Sequence, residues 1–521
     1  MSGRPGPTVA IPPPDRLPDG TDVRLDPRTR RLDDGATLLG GSPLRLVRLA
    51  PRAVDLLRDD RLLVRDSTTA ALAARLLDAG LGHPQHEGRP EHDGGPAGEL
   101  TVVVPVRDRP AELARLLAAL RADPDTADVP VLVVDDGSAD PAAVSACATA
   151  HGACVLRHGT ARGPAAARNA GLRAATTDLV AFLDSDCVPL PGWSGPLVRH
   201  TADPRLAVVA PRITALPAEG TGWVEPYEAA VSALDMGPHP APVAPGTAVS
   251  YLPSAALVAR REALGDGFDE AMRVAEDVDL VWRLVAAGWR VRYEPAAEVA
   301  HEHRSSTGEW LRRRAFYGTG AALLAARHGG VVAPVVVSPW SAAAWALALT
   351  GRRSGALAAA AVLAVATGRL APRLARPGRR APLGLAAALV LRGSAAAGKT
   401  LARSVTRHHW PLALGAAAVS RRARRGVAAV AAADAVLAWW PHRQQVGPLR
   451  FAAGRRLEDL AYGAGLWAGA LRARDPRALL PARPAPTAAP PERLRTTGSL
   501  VETRASGHDG RTMDPSPRTV T

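Results

Sequence analysis

The chain has 521 residues, 47% hydrophobic and 22% charged, enough for roughly two to four domains and incompatible with a wholly unfolded polypeptide. Its three cysteines, Cys147, Cys154 and Cys187, form no CxxC pair and no even framework, which points to a reducing compartment and excludes a disulfide scaffold. The net charge of +14 is unevenly placed: residues 311–480 hold 26 Arg or Lys against four Asp or Glu, so nucleic-acid binding by the chain as a whole is not supported.

Residues 1–14 are Pro-rich without an apolar core, so they are expected to be disordered and not to form a secretory leader. Residues 15–81 read as a small domain. "DVRLDPRTRRLDDGATLLGG" predicts a hairpin turning at Asp34-Gly35, and "APRAVDLLRD" and "DSTTAALAARLLDAG" predict helices. Asp66 or Ser67 is the candidate N-cap of the latter and Gly80 its terminator. Residues 82–98, "GHPQHEGRPEHDGGPAG", are polar with no apolar period and read as a linker.

From residue 99 to 330 the pattern alternates. "LTVVVPV", "VPVLVVDDGS", "ACVLRH" and "LVAFLDSD" are short apolar runs, separated by the helical "AELARLLAALRA", "PAAVSACATAHG" and "GPAAARNAGLRAATTD". Such alternation predicts an α/β unit with a parallel sheet covered on both faces. Ligands bind beyond the carboxyl ends of such strands, where "RD", "DDGS" and "DSD" fall. Residues 331–480 are Ala- and Arg-rich and predicted helical. Their apolar stretches (333–349, 354–367, 381–391, 426–438) are each shorter than the ~20 residues of a membrane span. Residues 481–521 are Pro-, Thr- and Arg-rich and expected to be disordered.

Asp184 and Asp186 close the fourth apolar run. Two carboxylates one residue apart at a strand exit suit Mg²⁺ or Mn²⁺ carrying a diphosphate, because hard oxygen ligands favour such ions. "GSAAAGKT", residues 393–400, matches the phosphate-loop pattern G-x-x-x-x-G-K-T. That mechanism needs a preceding buried strand, whereas the upstream "APLGLAAALVLR" reads as helix, so chance is the better account.

Taken in order, "VVVPVRDR", "VVDDGS", "RGPAAARNAG", "FLDSD" and "AEDVDLVWRL" resemble the inverting family-two nucleotide-sugar glycosyltransferases, over about residues 99–320. The resemblance implies the GT-A fold, a Rossmann-like, mostly parallel mixed sheet. It also implies that Pro105 and Asp108 border the nucleotide, and that Asp136, ahead of Asp135, receives the uracil N–H. Arg162, Arg168 and Asn169 would line the base and phosphate side, Asp184 would face the ribose and Asp186 would hold the metal. The catalytic base falls on Asp277, with Glu276 and Asp279 beside it facing the acceptor, and His301 completes the cation or diphosphate site. Processive relatives carry Gln-x-x-Arg-Trp where this chain has "EWLRRRAFYGTG". Arg313 or Arg314 would neutralise the leaving diphosphate there, and the missing Gln and Trp argue against long-chain processivity.

Residues 15–81 resemble the small winged-helix proteins that hold precursor peptides in quinone-cofactor biosynthesis. The fusion of the two parts resembles the glycosyltransferases of mycofactocin biosynthesis. It implies glucosyl transfer from UDP-glucose to a redox-cofactor acceptor or its peptide precursor, building a short β-1,4-linked chain. The basic C-terminal region is expected to rest on lipid at the cytoplasmic face of the cell membrane. Two rival readings are a membrane polysaccharide or polyprenyl-phosphate sugar transferase, and a peptide-binding scaffold with an inactive transferase domain.

Overall fold

A computed structural model describes residues 6–85, 99–217, 222–302, 306–375 and 381–482. Nine strands among these form the central sheet. In chain order they are β1 (Leu100–Val106), β2 (Val131–Asp135), β3 (Cys154–Arg157), β4 (Leu179–Leu183), β5 (Cys187–Pro189), β6 (Leu206–Ala215), β7 (Ala241–Pro242), β8 (Ala256–Arg260) and β9 (Arg290–His301). Across the sheet the order is β5-β9-β6-β8-β4-β1-β2-β3, with β7 on β9. The four strands expected from their apolar runs lie together and parallel. Beyond them β8 runs antiparallel between β4 and β6. With four parallel and four antiparallel pairings the sheet is evenly mixed rather than mostly parallel.

Strand alternation sorts the core onto two faces. Val103, Val134 and Phe182 point to one face, against Leu280 and Leu284 of α4 (Glu276–Ala287). Val102, Val104, Val133 and Leu183 point to the other, covered by Leu113, Leu116, Leu117 and Leu120 of α1 (Pro110–Ala122), whose spacing makes one helical stripe. Between β2 and β3 runs α2 (Pro141–Ala150), and between β3 and β4 runs α3 (Pro164–Ala174). Its Gly171 lies so close to Val103 that any Cβ there would collide, which seats the helix directly on β1.

The N-terminal unit has two three-stranded sheets. Leu32 pairs with Thr37 around the expected turn, where Asp33, Asp34 and Gly35 all have positive φ. Asp66 caps the helix Ser67–Asp78 by accepting from Thr69 N at 2.8 Å. Two expectations are corrected here. Residues 6–14 are not loose: Thr8 N donates to Asp266 Oδ2 at 2.9 Å and Trp289 Nε1 to Ala10 O at 2.7 Å. The linker reading fails at its start, because Gly82–Gln85 is a strand paired with Asp22–Leu25, while 86–98 lie outside the described residues.

Nor is the unit a free tether. Arg290 on β9 donates to Asp78 at 2.7 Å and to Asp203 at 2.9 Å, and Ser42 Oγ accepts from Ala248 N at 2.7 Å. The buried His83 bonds Arg292 through Nδ1 and Asp26 through Nε2, each at 2.9 Å. Burial, then Arg292, lowers the His83 pKa to about 4, so the neutral ring accepts at Nδ1 and donates at Nε2.

After the sheet come α5 (Thr307–His328), α6 (Arg353–Leu374), α7 (Leu383–Arg403) and α8 (Pro448–Ala473) with shorter helices between them. Residues 393–400 lie inside α7, so the phosphate-loop pattern forms no loop. The expectation of short apolar stretches is also corrected: α6 has 22 residues and is long and apolar enough to cross a membrane. Leu357, Val365, Leu383, Leu391, Leu412 and Leu437 of this region are exposed. The tail from 483 lies outside the described residues.

The junction yields a graded test. Asp78 is 45% exposed, so Asp78→Ala should cost no more than about 1 kcal/mol. Arg290→Ala also strands Asp203, which is only 13% exposed, and should cost about 3 kcal/mol. Urea denaturation of the two variants checks the order.

Candidate active site

The carboxyl ends of β1, β2 and β4 and the N-terminus of α4 converge on a set of charged side chains. At the centre is Arg168 of α3, 3% exposed. Its Nη2 donates to Asp184 Oδ1 at 2.6 Å and its Nη1 to Glu276 Oε1 at 3.1 Å. Burial works against its charge, but the two carboxylates outweigh burial and hold its pKa above the usual range. Phe268 lies 5.6 Å beneath the guanidinium.

Asp186 follows two residues later. Its Oδ2 accepts from Arg109, and its Oδ1 stands 3.4 Å from His301 Nε2. Strand register brings the histidine there, since Cys187 pairs with His301 across β5 and β9. Burial opposes ionisation, yet the charges of His301 and Arg109 prevail and keep Asp186 below the ordinary carboxylate range. Among the described residues no group of three or more His, Cys, Asp or Glu gathers to hold a metal. One carboxylate and one imidazole suit a divalent ion whose other ligands come from a diphosphate and water. They do not make an all-protein cage.

Asp277 occupies the first turn of α4, behind Ala275 in the left-handed conformation. Its oxygens accept from Val278 N at 2.8 Å and Ser254 N at 3.3 Å. Burial first, then the charge of Glu276, raises its pKa to about 7. A carboxyl poised near neutrality can take a proton from a hydroxyl and hold it.

Other expected residues have different tasks. Asp108, at φ 54°, accepts from Ala139 N at 2.7 Å and fixes the turn after Pro105 and β1. Asp136 gathers Arg162 N, Gly163 N and His158 Nδ1 at 2.7–2.8 Å, which shapes the loop before α3. Asp135 is fully enclosed against Arg157 and Ser138 N. Asn169 exchanges two hydrogen bonds of 2.8 Å with the Phe268 backbone and does not line the donor side. Arg162 reaches Glu270 at 2.7 Å on the surface.

The acceptor assignments are corrected as well. Glu276 is the counter-ion of Arg168. Asp279 is wholly buried and bound by Arg283 at 2.8 Å, His328 at 2.9 Å and Arg327 at 3.0 Å, facing α5 rather than an acceptor. Arg314 is buried on Glu228, and Arg313 lies over the Tyr317 ring at 4.9 Å, so neither joins the cluster. Two participants were missed. Arg109 lay in the quoted "VVVPVRDR", where a charge ahead of a helix-opening proline was a usable signal. Ser254 N had none, because its contact arises only from the folded chain.

The model of the family "Glycosyl transferase family 2" matches residues 101–266. A "Pre-mycofactocin glycosyltransferase" from Mycobacterium tuberculosis is 49% identical over 478 residues, 89% of this chain and 98% of that protein. The chain belongs to the pre-mycofactocin glycosyltransferases of family two. This transferase also matches an "N-acetylglucosaminyl-diphospho-decaprenol L-rhamnosyltransferase" of the same organism, 48% identical over 63 residues, 12% of this chain and 20% of that one. Among solved structures, a mannosyltransferase from Pyrobaculum calidifontis with GDP-Man and Mn²⁺ is 20% identical at a TM-score of 0.35, covering 71% of this chain and 91% of that chain.

A base role for Asp277 predicts that kcat/KM of the transferase rises with pH through an acid limb near pH 7. The same role predicts that Asp277→Asn removes turnover and keeps donor affinity. The raised pKa also means that this group's contribution to stability is full below about pH 4 and is lost as pH rises through about 7. Rate profiles and thermal melts across pH 4–8 read both effects.

Proposed function

We propose that this enzyme transfers glucose from UDP-glucose, with inversion, to premycofactocin and extends it as a short β-1,4-linked chain. The observation that carries the reading is the division of labour among four acids: Asp184 and Glu276 neutralised by Arg168, Asp186 beside His301, and Asp277 alone pushed towards neutrality. A site with one acid held protonatable beside others paired with basic side chains suits proton removal next to a negatively charged leaving group.

In this reading Asp277 takes the acceptor hydroxyl proton as that oxygen bonds to the anomeric carbon. The bond from that carbon to the diphosphate breaks, and UDP leaves with the electron pair. Asp136 and Asp108 hold the loops that enclose the nucleoside. Asp186 and His301 would hold the divalent ion, which supplies positive charge to the departing diphosphate. The likeness to a pre-mycofactocin enzyme over nearly its whole length supports the acceptor.

We place the enzyme at the cytoplasmic face of the membrane. Support comes from the 26 Arg or Lys of residues 311–480, the apolar α6 and the exposed leucines around it. Each well-placed basic residue contributes about 1 kcal/mol on anionic lipid. The N-terminal unit, docked on β9, would present the acceptor or its peptide precursor close to α4.

Asp186→Ala should lower turnover and abolish metal-dependent UDP binding, read by calorimetry with and without Mn²⁺. Mass spectrometry of premycofactocin incubated with UDP-glucose should show hexose additions, and their absence would reject the donor or acceptor. The protein should sediment with membranes and resist a high-salt wash. Full recovery in the unwashed soluble fraction would count against the location.

A further inference from the structure

Arg109 sits on the carboxylate that a divalent ion would need. Its Nη1 bonds Asp186 Oδ2, while Asp186 Oδ1 faces His301 Nε2 at 3.4 Å. The arginine follows Asp108 in its left-handed turn and precedes Pro110, the first residue of α1, so its backbone is fixed. Its side chain is still 32% exposed, twice the 16% of Asp186, so the guanidinium has an outlet that the carboxylate lacks. Glu112 and Asp184 are the other acids near enough to act on it.

A guanidinium and a divalent cation on one carboxylate repel each other at contact distance. Asp186 and His301 alone would leave a divalent ion short of ligands, so a free ion would gain little by displacing Arg109. A nucleoside diphosphate changes both terms. Its oxygens complete the coordination, and they offer the guanidinium a bidentate partner richer in charge than one carboxylate.

We propose that Arg109 is the resident counter-ion of Asp186 in the donor-free enzyme and transfers to the diphosphate when donor and metal enter, which makes metal binding conditional on nucleotide. The inference rests on Asp186 being the cation ligand. It gives Arg109 a positioning role for the donor and prevents a bare metal ion from occupying the site ahead of it.

Mn²⁺ binding to the full chain, followed by the electron paramagnetic resonance of the free ion, tests this with and without UDP. The wild type should bind Mn²⁺ alone roughly tenfold or more weakly than in the presence of UDP. Arg109→Gln should tighten binding of Mn²⁺ alone by roughly the same factor and weaken UDP binding, so that the coupling collapses. Arg109→Met, which keeps the length without the charge, should behave alike, and Arg109→Lys should retain the wild-type pattern. Unchanged Mn²⁺ affinity in both neutral variants overturns the role of Arg109. If Asp186→Asn still abolishes binding, the metal site itself stands. If Asp186→Asn also changes nothing, the metal reading falls and takes the proposal with it.

Discussion

The buried guanidinium of Arg168 is the contact on which the site depends. It joins the end of β4, through Asp184, to the start of α4, through Glu276, although these segments lie 92 positions apart in the chain. Without it, Asp184, Glu276 and their neighbours Asp186 and Asp277 would share one low-dielectric corner with a single remaining arginine. Like charges so placed raise one another's pKa and loosen the loops that carry them. The close seating of Gly171 on Val103 explains how α3 can bring an arginine that deep.

That arrangement separates acids of one chemical type into distinct states. Asp184 and Glu276 share a cation, and Asp186 has one of its own. Asp277 has only two backbone amides and a charged neighbour. One carboxyl is thus held near neutrality without a histidine. Solvation and partner choice set the function of each carboxyl, and the residue type alone would not.

Part of this was legible in the sequence because it is local. The parallel strands β1 to β4 follow from apolar runs bounded by helices, and the cap at Asp66 from a polar residue before an amphipathic period. The identity of the ordered motifs placed Asp184, Asp186, Asp277 and His301 within one region. What could not be read was partner choice. Arg168 and Asn169 lie in the motif as expected, but their side chains turn inward to Glu276 and Phe268, which depends on how α3 packs. The antiparallel β8 gave no signal distinguishing its direction. Residues 82–85 had a linker's composition and still pair as a strand, because a neighbouring sheet edge supplied hydrogen bonds that composition does not reveal.

Asp279 has a consequence for where the polypeptide can be divided. Its carboxylate belongs to the helix that begins with Glu276 and Asp277, while two of its three side-chain partners, Arg327 and His328, come from the last turn of α5. By the family model the transferase segment ends at residue 266. By electrostatics it ends no earlier than 328. A version trimmed at the end of β9 would keep Asp184, Asp186, Asp277 and His301 and yet leave a fully enclosed acid two residues from Asp277 with Arg283 as its remaining partner among those three. Helix α5 is in this sense the last element of the catalytic unit as well as the first of the helical region that follows it.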